Sequence, residues 1–396
     1  DFLINKFRQL GYYTTSISPF AERHSAYWFC AGWNEMYNTG KAGLESADDL
    51  FPYAAEWLKK HKNENNWFLH INLWDPHTPY RTPESFETPF NDNFIPEWMN
   101  EETIQKHRKS YGPHSARELH GFKEHKIITK VFPRIKSGEI KNLDDFKNWI
   151  AAYDTGILYA DNFIGRIIKI LEEAEIYDDT LIFISSDHGE SQGELNVYGD
   201  HATADHIVNR VPFIIKWPKH DWNAEYSELL YTNDIAATII EKLGGRVPKS
   251  WDGRSFLAKV NSNEKIGRKF LVLSQNAWSC QRSVRFDNWI LIKTYHTGMK
   301  DYPEYMLYDL EKDFHMQHNL VDAKPDILNE GMKLLDLWYK KMMSSSNFQN
   351  DPMWTVIQEG GPFHTRGMLK KYIRRLKKTG REKMIKKIKE REEVYK

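Results

Sequence analysis

Residues 180–189 read Thr-Leu-Ile-Phe-Ile-Ser-Ser-Asp-His-Gly. A short run rich in Leu, Ile and Phe, bounded by polar residues, is the pattern of a buried strand. It ends on Ser186-Asp187-His188-Gly189, so a carboxylate and an imidazole follow directly on the strand's carboxyl end. In open α/β sheets that is where ligands bind. Upstream, Phe146 to Glu173 predicts a long helix with Ile157, Phe163, Ile164, Ile167, Ile168 and Leu171 as its apolar stripe. Downstream, Val211 to Ile215 predicts another strand, closed by Trp217-Pro218. Asp234 to Leu243 predicts a helix closed by Gly244-Gly245.

The same alternation extends to the amino-terminal side. Phe2 to Leu10 is helical and stopped by Gly11, Tyr12 to Ile17 is a strand, Asp48 to Lys60 a helix and Trp67 to Leu73 a buried strand. Residues 81–145 are too long for a simple connection and read as an insertion over one face. After about residue 265 the pattern changes to short strands at 270–273, 283–286, 289–294 and 305–310, with a helix at 325–343. The expected fold is α/β: a mixed, mostly parallel sheet sandwiched by helices, with a smaller C-terminal α+β subdomain. The expected division is 1–265, then 266–345 with a small antiparallel sheet, then a basic helical extension at 346–396.

The chain has 396 residues, with 14% aromatic side chains and 40% apolar residues, which excludes a disordered chain. Its formal charge is zero, 55 basic against 55 acidic. The segment 366–396 nevertheless holds 14 Lys/Arg against 4 Glu, so a basic tail follows an acidic body. Its apolar spacing (Leu369, Tyr372, Ile373, Leu376; Met384, Ile385, Ile388) favours two surface helices packed on the body over a nucleic-acid or membrane patch. Two cysteines, Cys30 and Cys280, exclude a disulfide framework though not one bridge. No apolar run is long enough to span a bilayer. The chain opens on Asp1 without Met, inside a helical pattern, and is expected to lack its true N-terminus. The compartment is left open.

Three predicted strands end in His-bearing loops: Glu22-Arg23-His24, Asp75-Pro76-His77, and Asp187-His188 with Asp200-His201 beyond. If the sheet is parallel, these loops converge. Asp187 offers a hard oxygen and His188 a borderline nitrogen to a metal, while Gly189 lets the backbone turn away. A capped turn explains the local motif equally well. His77 lies between two prolines that fix the direction of its ring, and Trp74 and Tyr80 flank it as candidate stacking faces. His201 and His206 have the wrong spacing for two ligands on one helix face; His201 reads as a lone donor to an anion and His206 as structural. His61, His107, His125 and His220 read as polar-loop residues. The loop Gly360 to Gly367 either brings His364 and Arg366 to an anion or merely caps the next helix through Thr365. No G-x-G-x-x-G, Walker loop or G-x-S-x-G elbow occurs, so nucleotide-cofactor and α/β-hydrolase classes lose support.

Taken in order, these segments resemble the sulfatase family of the alkaline phosphatase superfamily. The resemblance is carried by Gly11-Tyr12-Tyr13-Thr14, Tyr159-Ala160-Asp161, Ser186-Asp187-His188-Gly189, Arg210-Val211-Pro212 through Trp217-Pro218, Trp251-Asp252-Gly253, and Leu307-Tyr308-Asp309-Leu310 with Asn319-Leu320. It implies an alkaline-phosphatase-like fold and hydrolysis of a sulfate ester or sulfamate, of a sugar or small organic sulfate. The family nucleophile is a formylglycine made from Cys or Ser in Cys/Ser-x-Pro-x-Arg by a formylglycine-generating enzyme, assisted by one divalent metal ion, usually calcium. Carried over by position, Asp187 and His188 are metal ligands, and His77, His201 and His24 are catalytic. Arg23, Trp74, Asp75, Tyr80, His364 and Arg366 are the candidate substrate contacts. The implied partners are the sulfated substrate and the maturation enzyme, with no nucleic acid; an oligomer is left open.

The departures from the family pattern carry information too. Neither Cys30-Ala31-Gly32 nor Cys280-Gln281-Arg282 fits the nucleophile motif, and the early Asp-Asp metal pair is absent. Both are expected upstream of Asp1, so the chain by itself is expected to be inactive. Glu22 and His201 stand where the family has lysines. His188 stands where many members have Asn, which shifts metal preference toward manganese or zinc and also fits phosphonate and phosphodiester hydrolases. A third expectation is a non-catalytic binding protein on the same fold.

Overall fold

The computed structural model describes residues 2–41, 43–90, 95–123, 134–135, 137–219, 224–261, 265–345 and 349–395, with only the backbone at 260 and 261. His125 and His220 lie outside the described residues. The chain forms two compact units. One comprises Asp1–Phe90, Ala152–Ile184 and Ile214–Arg268; the other comprises Asn91–Ala151, Ser185–Phe213 and Lys269–Lys396. The units do not follow the linear division: 91–151 and 185–213 group with the C-terminal part.

In the first unit a parallel sheet has Tyr13–Ile17 in the centre, between Glu35–Tyr37 and Trp67–Ile71. Thr15 pairs with Glu35 and with Leu69, and Ile17 with Ile71. The central strand buries Thr14, Thr15 and Ser16 as well as Ile17. Buried hydroxyls need partners: Thr14 Oγ1 donates to Gly32 O (3.1 Å), and Ser16 Oγ lies 3.1 Å from His70 Nδ1. The strand 67–71, expected to be buried, is half-buried throughout. The strand Ile182–Ser185 pairs with Phe213–Lys216. Phe183 stacks on Phe68, ring centroids 6.5 Å apart, which sets this pair beside the sheet.

The helix Ala47–His61 starts at a capping box between Ser46 and Asp49 and buries Leu50, Ala54, Trp57, Leu58 and His61, one face at helical spacing. That face meets Ile17, Tyr159 and Phe163 in a common core. Tyr159 and Phe163 belong to the long helix Leu143–Glu173. Its buried stripe runs through Thr155, Tyr159, Phe163 and Leu171, whereas Ile157, expected in the stripe, is 45% exposed. Ile157 sits two residues before Tyr159, and a 3.6-residue period turns it away from the core.

The second unit is built on an antiparallel sheet in the order Tyr305–Asp309, Trp289–His296, Cys280–Phe286, Phe270–Gln275. Side-chain alternation divides its faces. Val284, Leu291 and Leu307 pack with Leu335 of the helix Pro325–Ser345. Ile290, Ile292, Met306 and Tyr308 face the other way, where Leu195 and Ile207 pack on them. This contact explains why 185–213 belongs with the C-terminal sheet. Arg282 and Asp351, both buried, form a two-pronged ion pair (2.5 and 2.6 Å) that ties the helix Pro352–Gln358 to the sheet. Cys280 is buried and Cys30 exposed, both as free thiols.

The basic tail forms the helices Leu369–Lys378 and Lys383–Val394. Tyr372, Leu376 and Ile388 bury against Tyr111 and Met299, as the apolar spacing predicts. A buried carboxylate fixes them: Glu118 accepts from Arg375 Nε (3.2 Å), from two nitrogens of Arg381, and from Ser115 Oγ (2.8 Å). Close by, the buried Lys300 donates through Nζ to Asn196 O (2.9 Å). Burial lowers Lys300 to about 7, against the pull of Asp200 and Glu118.

Two outcomes are expected. Glu118→Gln leaves the buried Arg381 without its carboxylate and costs about 3–5 kcal/mol, read as a lower guanidinium midpoint and earlier proteolysis within 366–396; an unchanged midpoint removes Glu118 as the anchor. Lys300 is lowered in the folded state, so the unfolded chain binds the extra proton between about pH 7 and 10.5 and stability rises with pH in that window. Lys300→Met therefore flattens the stability–pH slope by up to about 1.4 kcal/mol per pH unit, measured as urea midpoints from pH 7 to 10. Equal slopes in the two proteins rule out the deprotonation.

Candidate functional site

The candidate residues of the first unit gather about one indole. Trp74 is only 6% exposed, and Arg23 lies over its ring at 4.3 Å. The rings of His24 and His77 lie 5.4 and 5.2 Å from it. Arg23 is carried by the helix Phe20–His24 and donates to Gly43 O (3.0 Å). His77 Nδ1 donates to Thr78 O (2.6 Å), so in the neutral ring the lone pair is on Nε2. The loop lies against the long helix at Gly156, where a Cβ would stand 2.7 Å from Asp75 O, so no larger residue fits there.

Three expectations for this loop are corrected. Trp74 does not offer a free stacking face, because Arg23 covers it and it supports the two imidazoles. Tyr80 is 0% exposed and packs 5.7 Å from Tyr153. Asp75 is also 0% exposed and accepts from Ala47 N (3.2 Å), a helix N-terminal acceptor in place of a substrate contact. Burial raises its carboxyl to about 7.

In the second unit, Asp187 and His188 follow the strand directly. Asp187 Oδ1 accepts from His188 N (3.0 Å), and its Oδ2 stands 3.8 Å from His188 Nε2. The first of these contacts is the turn reading of the motif. His188 Nδ1 donates to Gly189 O (2.9 Å), which puts the lone pair of the neutral ring on Nε2, beside the carboxylate. Gly189 donates to Val208 O (2.8 Å) and has Ile207 O 2.5 Å from where a Cβ would stand. The side chain of Asp187 is 74% exposed. A hard oxygen beside a nitrogen suits a divalent cation. Among the described residues no group of three or more His, Cys, Asp or Glu is gathered for a metal.

His201 lies against His188, ring centroids 4.1 Å apart. Its amide donates to Asp200 Oδ1 (2.7 Å), and Gln275 donates to its carbonyl. Burial, then the neighbouring His188, pushes His201 down to about 4, so its ring is neutral at pH 7. Asp200 Oδ2 is 3.2 Å from Nε2 of the buried His114. Trp278 receives the edge of His114 and stacks on the exposed His364, each at 4.5 Å. His364 donates through its amide to Ala277 O (2.9 Å). Arg366 bends back instead: its guanidinium donates to Gly361 O (3.2 and 3.1 Å) and Glu359 (3.2 Å), closing its own loop.

Other histidines differ from expectation. His61 stacks on Trp57 and His107 bonds Tyr198 Oη (2.7 Å), both buried on helices. Each lies on the apolar side of its helix, which polar flanking residues disguised. His206 packs on Phe314, as a structural residue does. Sequence reasoning did not single out His114, Trp278 and Lys300. For His114 a signal existed: Gly112-Pro113 precedes it, as Pro76 precedes His77.

Comparison with known proteins follows this geometry. A family model described as Sulfatase matches residues 1–245, and one described as N-sulphoglucosamine sulphohydrolase, C-terminal, matches 193–336. The chain is similar to a multifunctional alkaline phosphatase superfamily protein of Trinickia caryophylli, 28% identical over 54% of this chain and 41% of that protein. It is similar to an ulvan-active sulfatase of Formosa agariphila, 24% identical over 60% and 49%. A third relative is an N-acetylglucosamine-6-sulfatase of Bos taurus, 23% identical over 62% and 38%. The chain thus spans less than half the length of these relatives. Among solved structures, a phosphonate monoester hydrolase from Silicibacter pomeroyi shares the fold at a TM-score of 0.64, with 17% identity over 88% of this chain and 80% of that one. A protein solved with its substrate D-glucosamine-2-N,6-O-disulfate does so at 0.62, with 16% identity over 88% and 83%. With the Sulfatase family model covering well over half of its length, this chain belongs to the sulfatase family.

Proposed function

We propose that this chain is part of a metal-dependent hydrolase that cleaves a sulfate ester or sulfamate of a sugar. The observation that carries the reading is the Asp187–His188 pair directly after its strand with His201 against it. The sugar is supported by the two glycan-sulfatase names among the relatives and by the N-sulphoglucosamine match over 193–336.

Asp187 and His188 Nε2 would hold the cation, with further donors and the formylglycine expected upstream of Asp1. The cation, calcium by family or manganese or zinc by virtue of His188, would lower the energy of charge on the sulfate oxygens, and the formylglycine would supply the attacking oxygen. The residues of this chain bind and move protons. His77, with Nδ1 held by Thr78 O, takes a proton from solvent on Nε2 and donates it to the leaving alkoxide oxygen, which departs as the alcohol. His201, neutral at pH 7, contributes a hydrogen bond to the sulfate where a lysine would contribute charge. His24 stands beside Trp74 as a second contact to the anion, and Arg23 as a cationic one. His364, exposed on Trp278, is a contact for the sugar.

His188 also favours a second reading, hydrolysis of phosphonate monoesters or phosphodiesters by the same machinery. In the full-length protein, His77→Ala and Asp187→Ala should each lower turnover of an aryl sulfate by about 10²-fold or more. Retained activity in both variants defeats the site assignment. Preference for a matched aryl phosphonate selects the second reading, and no turnover of either by the metal-loaded wild type leaves a binding protein. EDTA should abolish activity, and the ion that restores it identifies the metal.

A further inference from the structure

The outward face of the helix Leu369–Lys378 has no use in the fold. Its inward face is fully engaged: Tyr372 and Leu376 are buried, and Arg375 is bound to Glu118 and Glu139. The other cations of the helix, Lys370, Lys371, Arg374, Lys377 and Lys378, are all exposed. Among the described residues none of them pairs with a carboxylate, in contrast to Arg375 and Arg381 of the same segment. From Gly360 to Arg381 there is no Asp or Glu.

This arrangement has a cost. Residues three and four apart on a helix are neighbours, so Lys370–Arg374, Lys371–Arg374, Arg374–Lys377 and Arg374–Lys378 are like-charge contacts, each destabilising by about 0.2–0.5 kcal/mol. Lys377 and Lys378 recover part of it at the helix C-terminus, where cations are favoured; the other three do not. The following helix is built differently. Lys386 pairs with Glu390 (3.8 Å), Lys387 with Asp301 (2.6 Å) and Arg391 with Asp301 (3.2 Å). Lys383 and Lys389 of that helix are exposed without an ion pair among the described residues, but the uncompensated charge is densest on the first helix, about 12 Å long between Lys370 and Lys378, with cations repeating about every turn.

We propose that this face is a docking surface for a sulfated glycan chain, made of residues other than those assigned to hydrolysis. Repeating flexible point charges match a polymer with repeating sulfates. Choosing a glycan rests on the sulfated-sugar reading above; the unpaired charge does not. An anionic membrane fits less well, because an interfacial helix needs an apolar face to insert and here that face is buried against Tyr111, Met299 and Ile388. A nucleic acid fits less well, because the outward face presents no aromatic side chain for stacking.

The test uses the full-length protein and its Lys370→Gln/Lys371→Gln/Arg374→Gln/Lys377→Gln/Lys378→Gln variant. Circular dichroism and the denaturation midpoint confirm that the variant is folded, since the five side chains carry no packing. The probes are dextran sulfate and unsulfated dextran, with phosphatidylserine vesicles and duplex DNA at equal charge concentration. Wild type should bind dextran sulfate and not dextran. The variant should bind it about tenfold or more weakly, with the slope of log K against log[NaCl] shallower by about 3–4. Hydrolysis of a small aryl sulfate should be the same in both. Equal affinity of the two proteins for dextran sulfate overturns the proposal, as does an equal loss from Lys383→Gln/Lys386→Gln/Lys389→Gln. Tighter wild-type binding to vesicles or DNA overturns it in favour of those partners. If neither protein hydrolyses the aryl sulfate while the dextran sulfate difference persists, the hydrolase reading fails and the docking surface stands.

Discussion

A carboxylate shut away from water must be matched by buried positive charge, and at Glu118 the match comes from more than 250 residues further along the chain. Arg375 and Arg381 bind its two oxygens, and Tyr372 Oη donates to one of them (3.4 Å). Two consequences follow. The C-terminal helices cannot leave without stranding a charge, which is far more costly than losing a surface ion pair. The turn that carries Glu118 is also held still, and that turn grips the loop of His201: Ala116 N donates to Asn196 Oδ1 (3.2 Å) and Tyr198 N to His114 O (2.8 Å). Asp200, which receives the amide of His201, is two residues past Tyr198. The orientation of one candidate imidazole therefore depends on a charge pair at the far end of the sequence.

Around the candidate residues themselves the constraint is backbone against backbone. At Gly156 and Gly189 a methyl group would stand 2.7 and 2.5 Å from a carbonyl oxygen. Neither glycine has a left-handed backbone, so what is required is the missing Cβ and not a special torsion. One seats the loop of His77 on its helix; the other seats the loop of Asp187 and His188 against Ile207 and Val208. Both imidazoles are then fixed the same way, by Nδ1 donating to a carbonyl within one residue, which leaves Nε2 to act.

Local pattern carried most of the elements. The helix at 47–61, the long helix and the four antiparallel strands follow the expected spans closely, because each buries a face whose period is visible in the residues. What local pattern hides is which segments share a core. Leu195 and Ile207 look like ordinary loop residues until they meet Ile290 and Ile292. Tertiary burial also overrode polarity. Asp75, Tyr80 and Trp74 sit in a loop that reads as exposed and functional, yet they form its foundation, while His77 stands half-buried above them. The Asp187–His188 turn was legible because turn chemistry demands a short polar residue directly after a strand. The stack of Trp278 on His364 was not, since 86 positions separate them and nothing in either segment points to the other.

If His201 stands in place of a lysine, as the family resemblance implies, an anion there is held differently. A cation about 4 Å from a unit negative charge is worth about 4 kcal/mol at the effective dielectric of a partly buried site. A neutral imidazole offers one hydrogen bond, about 1 kcal/mol net. Burial beside His188 keeps His201 neutral at any pH well above about 4, so the missing charge is not recovered by protonation near neutrality. Short-range geometry is thereby favoured over long-range attraction at this residue: a hydrogen bond selects by direction, a charge only by sign. Long-range attraction is supplied elsewhere in the same unit, by unpaired lysines whose field extends about 8 Å at physiological salt. Placing capture and discrimination in different residues allows each to change without the other, and an acidic body with one basic helix is the charge distribution that such a division requires.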